Sequence, residues 1–199
     1  MTAYMDHKDL ANEVIEQSRA REITDGVHRV LDRIAEAESV AGREAGSVHL
    51  LAATKTRDVG ETIESGDSIE LAEKIARRAT MRGITVGVLL EVNESGEESK
   101  SGCAPSHAID LAQRIGAMGG LRLQGLMTIG AHVDDERTIR AGFAHLRRTR
   151  DQILASGAEG TADCTELSMG MTHDMTYAIE EGSTIVRVGT AIFGERAFI

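Results

Sequence analysis

A lysine stands where a buried strand should end. In VHLLAATKTR, residues 48–57, Val48, Leu50, Leu51, Ala52 and Ala53 have the character of a buried strand, and Lys55 follows between two threonines. An amine at the mouth of an apolar pocket has its pKa lowered by desolvation and can condense with a carbonyl. The plainer reading is a solvated lysine at a strand edge, and only the rest of the chain can choose between them.

Two further stretches could hold an anion. ELSMGMTHD, residues 166–174, sets Ser168, Gly170 and Thr172 between a short strand and a helix. STIVRVGTAIFG, residues 183–194, sets Gly189 and Thr190 just past another strand. Backbone amides at such turns, joined by a hydroxyl, can bind phosphate, although a capped glycine turn explains either stretch alone. Arg187 is out of place inside the apolar run TIVRV, because arginine is seldom buried without a partner. It pairs either with a core carboxylate such as Glu91 or with a ligand. The charged run NESGEESKSG, residues 93–102, reads as a solvated loop whose one cation is Lys100. His132, His145 and His173 are scattered without the spacing of a metal site, and no Ser-His-Asp or Cys-His arrangement stands out.

These positions need a frame, and the periodicity supplies one. Val27, Val30, Leu31 and Ile34 fall on one face of a helix over 25–42 that Thr24 or Asp25 can cap. A strand at 48–54 follows, then a helix over 68–82 capped by Ser68. ITVGVLLEV, 84–92, is a nearly continuous apolar run, as in a parallel strand buried on both faces. Pro105 opens a helix that ends near Met118; LRLQGLMTI, 121–129, is a strand; a long helix covers 134–156. Strand 166–169, a helix over 173–181 and the strand in 183–194 complete the order. Such alternation gives a parallel α/β architecture, either a (β/α)8 barrel or an open doubly wound sheet. In both, function gathers at the carboxyl ends of the strands. Lys55, Asn93, Ser168 and Gly189 all stand there.

One stretch resists this frame. TIES, 62–65, reads as a weak strand, yet only residues 55–61 separate it from the strand before. A parallel crossover needs about a dozen residues or more, so these two strands cannot pair side by side. Six candidate strands also fall short of the eight, over about 250 residues, of a closed barrel.

The composition bounds the rest. A chain of 199 residues that is 41% hydrophobic, with a single proline and no low-complexity tract, suits one domain over 1–199. The net charge of −10 argues against nucleic acid or an anionic membrane as partner. Cys103 and Cys164 are too few for a disulfide framework. The charged N-terminus has no signal-peptide core and no run reaches membrane-spanning length, so a cytoplasmic protein is expected.

LLAATKT, LLEVNESGEESKSG, LQGLMTIG and ELSMGMTHDMTYAIEEGSTIVRVGTAIFGER together resemble the pyridoxal-phosphate homeostasis proteins, single-domain relatives of the barrel domain of alanine racemase. The resemblance covers nearly all of residues 48–196 and implies a (β/α)8 TIM-type barrel that binds pyridoxal 5′-phosphate. It implies that Lys55 forms the Schiff base with the cofactor. It implies that Ser168, Met169, Gly189 and Thr190 belong to the segments that hold the phosphate, and that Arg187 faces the pyridine nitrogen. Lys100 is similar to a lysine that handles a second cofactor molecule in some relatives.

The chain also departs from that family. A segment with a GEN motif and a tryptophan-bearing strand normally follows the lysine strand; here GETIESGDS follows almost directly, and there is no tryptophan. About two strand–helix units are therefore missing, by omission, by damage to the gene reading or by a real deletion. A barrel short of two internal strands would expose edges, which favours omission.

The resemblance also bears on catalysis. Arginine keeps its proton, so an arginine donating to the pyridine nitrogen leaves that nitrogen unprotonated and the ring a poor electron sink. The sequence ends at FGERAFI directly after the last strand, and no second domain is expected. The expectation is a monomeric pyridoxal-phosphate-binding protein of vitamin B6 homeostasis that delivers the cofactor to apoenzymes, with weak or no catalysis. The alternative is an amino-acid racemase-like enzyme, which would need a second acid or base opposite Lys55.

Overall fold

Strand and helix alternate along the chain as the periodicity requires. The structure is a computed structural model and describes residues 17–53, 62–66, 68–97 and 100–194. Lys55 lies outside the described residues. The strands are β1 (His49–Ala52), β2 (Thr62–Gly66), β3 (Val86–Glu91), β4 (Leu121–Met127), β5 (Glu166–Ser168) and β6 (Ile185–Val188). The helices are α1 (Gln17–Val40), α2 (Ile69–Met81), α3 (Ala108–Gly116), α4 (Glu136–Ala155), α5 (Met175–Glu180) and α6 (Thr190–Phe193).

Every strand pairing is parallel, in the order β1-β6-β5-β4-β3-β2. This is the wall of an α/β TIM-type barrel. It is interrupted between β1 and β2, which follow each other in the chain yet stand at the two ends of the sheet. The short link between them had ruled out direct pairing, and the strand order agrees.

Side chains alternate across each strand, so the wall has two faces. On one face Leu90, Leu123, Leu126 and Leu167 pack with Ala72, Ala112, Phe143 and Leu146 beneath α2, α3 and α4. Further round, Val186 and Val188 pack with Val30 and Ile34 of α1, with Met175 and Ile179 of α5, and with Ile192 of α6. Ser168 and Arg187 alternate with these residues and so turn to the opposite, inward face.

Some boundaries differ from the sequence expectation. The first helix already runs at Gln17, and the Thr24 hydroxyl, instead of capping its start, donates to the Ala20 carbonyl at 2.9 Å. Ser68 does cap α2, accepting from the Leu71 amide at 3.4 Å. Pro105 opens a single 3₁₀ turn, Pro105–His107, ahead of α3. The last strand stops at Val188, and Thr190–Phe193 turns helical. No helix among the described residues is long and apolar enough to cross a membrane.

Candidate functional site

The carboxyl ends of β4, β5 and β6 are tied together by one side chain. Arg187 projects from β6 to the inward face, and its guanidinium donates to the Ser168 carbonyl at 2.9 Å, the Ser168 hydroxyl at 2.8 Å and the Thr128 carbonyl at 2.9 Å. Thr128 and Ser168 are fully buried. Thr128 is itself held, its amide donating to the Ser168 carbonyl at 3.1 Å and its hydroxyl to the Val92 carbonyl at 2.7 Å. A half-buried guanidinium is tolerated because backbone and hydroxyl oxygens replace part of its water shell. Thr128 was not singled out from the sequence, although its place just past the strand LRLQGLM marks it as a rim residue.

The loop after β5 is fixed by backbone geometry. Met169 is fully buried in the core, and its carbonyl accepts the Ser183 hydroxyl at 2.7 Å. Gly170 has φ of +93°, and a Cβ there would lie 2.5 Å from that of Ala178, so glycine is required twice over. Its carbonyl accepts the Arg187 amide at 3.0 Å. Asp174 accepts from the Met171 amide at 2.6 Å and closes the loop.

Past β6 the chain makes the single helical turn of α6. The Ile192 and Phe193 amides bond to the Gly189 carbonyl at 3.0 and 2.8 Å, which leaves the Thr190 and Ala191 amides without a partner among the described residues. Thr190 is exposed beside them. Lys55 cannot be placed, but the strand leading to it can. The Ala53 amide donates to the Val188 carbonyl at 2.9 Å, and the Ala53 Cβ lies 3.5 Å from where a Gly189 Cβ would stand. The residue two before Lys55 therefore sits against the Gly189 turn. Four positions chosen from the sequence, Ser168, Arg187, Gly189 and Thr190, gather at one end of the wall.

Lys100 is elsewhere. Its amine donates to the Glu97 carboxylate at 2.7 Å and the Gly130 carbonyl at 2.8 Å, tying the loop after β3 to the loop after β4. The Lys100 hydrogen bond, followed by the His132 amide, holds the Glu97 carboxyl below the usual range. Behind this loop Glu94 meets His145 at 2.9 Å. Burial raises the Glu94 carboxyl above its ordinary value, and the histidine pulls the other way. A cavity of about 800 Å³ opens between the loops after β3, β4 and β5, lined by Lys100, His132, Ile139, Met171 and Tyr177 among others. None of Ser168, Arg187, Gly189 and Thr190 lines it.

Comparison with known proteins places this arrangement. The alanine racemase N-terminal domain profile matches residues 23–197. The pyridoxal phosphate homeostasis protein of Aquifex aeolicus is 40% identical over 136 residues, which are 68% of this chain and 58% of that protein. The chain thus spans somewhat under three fifths of that relative's length. The pyridoxal phosphate homeostasis protein of Pseudomonas aeruginosa is 31% identical over 229 positions, covering 88% of this chain and 96% of its own. Those positions outnumber the 199 residues here, so part of that relative has no counterpart in this chain. A crystal structure of an unknown protein from Bifidobacterium adolescentis is 57% identical, with a TM-score of 0.88, over 92% of this chain and 99% of that one.

Proposed function

The chain belongs to the alanine racemase N-terminal domain family, and from that premise we propose that it binds pyridoxal 5′-phosphate and serves vitamin B6 homeostasis by holding and delivering the cofactor. The relatives from Aquifex and Pseudomonas are named pyridoxal phosphate homeostasis proteins, which supports this reading. The observation that carries the reading is that the Thr190 turn and Arg187 stand at the end of β6, beside the end of the described part of β1. The partnerless Thr190 and Ala191 amides, with the Thr190 hydroxyl, suit a phosphate. Arg187 offers a fixed positive donor beside them. The Ala53 contact with the Gly189 turn delivers the chain to Lys55, the amine that would hold the cofactor's aldehyde carbon.

When bound, the cofactor supplies an aldehyde that condenses with amines and a pyridine ring that can take up electrons. The chain's own groups restrain the second property. Arg187 keeps its proton and is anchored by the Thr128 and Ser168 oxygens, so it can donate to a ring nitrogen but not protonate it. Such a site favours storage over carbanion chemistry. The Ser168 hydroxyl accepts from Arg187 and so helps to fix the guanidinium in place. The reading is completed by a single domain, monomeric and cytoplasmic, with apoenzymes as recipients.

Borohydride treatment of the protein saturated with pyridoxal phosphate tests this. Peptide mapping is expected to find the cofactor fixed to Lys55, and Lys55→Ala to abolish the label. Label mainly on Lys100 or another lysine would overturn the assignment. Robust α-proton exchange of amino acids by the loaded protein would replace the carrier with the racemase-like enzyme.

A further inference from the structure

A helix of one turn cannot hold its own shape, because nucleation costs more than so few hydrogen bonds return. The α6 turn therefore borrows its geometry from what it packs against, and its neighbour is α1. Gly26 of α1 is buried there. A Cβ at Gly26 would lie 2.9 Å from the Ile192 carbonyl oxygen, 3.0 Å from the Ile192 Cα and 3.2 Å from the Ala191 carbonyl oxygen. All three are backbone atoms, so nothing can swing aside. Gly26 has helical backbone angles, so its lack of a side chain serves this close approach and not a special φ. One helical turn along, Val30 packs with Ile192, and Val27 supports the same cluster. At the other end of the turn Arg19 donates to the Phe193 carbonyl at 2.5 Å. A glycine inside a helix is unfavourable against alanine, and this one stands where helix and turn backbones touch.

We propose that α1 sets the selectivity of this site for a phosphorylated ligand. Gly26 and Arg19 act as positioning residues, holding the Gly189–Ala191 turn so that its two partnerless amides point at the phosphate. The inference rests on the reading above, that a pyridoxal phosphate is bound with its phosphate at this turn. Neither residue touches the cofactor. The aldehyde end depends on Lys55 and the ring on Arg187, so disturbing α1 alters the phosphate's share of the affinity and leaves the remainder.

The test compares pyridoxal phosphate with pyridoxal, which lacks the phosphate, on the full chain and on Gly26→Val, Gly26→Ala and Arg19→Met. The unaltered protein is expected to prefer the phosphorylated form by about a hundredfold, from a few charge-assisted hydrogen bonds. Gly26→Val should cut the affinity for pyridoxal phosphate about tenfold or more while changing that for pyridoxal less than about twofold. Gly26→Ala and Arg19→Met should do the same to a smaller degree, and they carry the test if the valine variant fails to fold. Independently of any cofactor, hydrogen exchange at the Ile192 and Phe193 amides should quicken in the variants. Equal losses for both ligands would mean a general structural defect and overturn the inference, as would unchanged exchange at α6. An unaltered protein that binds both ligands equally sinks the phosphate assignment itself. Unchanged selectivity in the variants of a selective protein sinks only the role of α1.

Discussion

Arg187 reaches across three strands, and that reach decides what can replace it. Its donors meet the Thr128 carbonyl and both oxygens of Ser168, two buried residues, from a side chain that is itself half-buried. Removing the guanidinium takes a charged donor from each of those oxygens, although the Ser168 carbonyl keeps the Thr128 amide, and a hydrogen bond to a charged group contributes about 1.5–3 kcal/mol. Arg187→Met is therefore expected to lose roughly 1–3 kcal/mol in urea denaturation, even with no cofactor present. A loss under about 0.5 kcal/mol would show that the residue is held in place for the ligand alone. Glutamate here would set a carboxylate against carbonyl oxygens and is the wrong probe. The sequence made Arg187 conspicuous because a charge interrupts TIVRV. It could not say that two of its partners are main-chain carbonyls, since every residue type carries one. For the same reason Thr128 went unnoticed while Ser168, framed by glycine and methionine, did not.

Between residue and molecule, the link from α1 to β1 shows how one carboxylate organises an element boundary. Glu38 is almost fully buried, and it accepts the Gly46 amide at 3.0 Å, the Val48 amide at 2.8 Å and the Ser47 hydroxyl at 3.2 Å. Burial by itself would raise its pKa. The two amides, the hydroxyl and Arg43 outweigh it and hold the carboxyl below its ordinary value. A carboxylate with a depressed folded pKa stabilises the fold above its unfolded pKa of about 4.3 and ceases to do so as pH falls through the folded value. Glu38→Gln should therefore cost about 1–3 kcal/mol at neutral pH. The gap to the unaltered protein should shrink in urea melts taken near pH 3. A gap of the same size at both pH values would mean that the charge does not matter and only the hydrogen-bond geometry does. The elements that the sequence located best are those with a long period, α2, α4 and β3, where apolar spacing alone settles the matter. The α6 turn escaped because four residues cannot show a helical period, and TAIF reads as the continuation of an apolar strand. The start of α1 escaped because Gln17–Thr24 is polar and has no apolar stripe to betray it.

At the scale of the whole molecule, the seven residues 55–61 carried more about topology than any motif. Their number alone forbids β1 from pairing with β2, and the wall accordingly ends on those two strands. The Pseudomonas relative aligns over more positions than this chain has residues, so part of it has no counterpart here. What the sequence could not show is how much of β1 then loses cover. Leu51, which looks like core in HLLA and is in register with Arg187, is 43% exposed. The His49 and Ala53 amides bond to β6, through the Thr184 and Val188 carbonyls at 2.8 and 2.9 Å. By the alternation of a strand, the Leu50 and Ala52 amides point the other way, along the edge where the sheet stops. β4, by contrast, is flanked by β3 and β5. Residue-resolved hydrogen exchange should find the Leu50 and Ala52 amides exchanging about a hundredfold or more faster than those within β4, because opening them breaks no ladder on the outer side. Fast exchange would establish β1, the strand that leads to Lys55, as an edge in solution. Protection equal to that of β4 would mean that this edge is covered, by the chain itself or by a second copy, and the interrupted wall would not be the form that binds the cofactor.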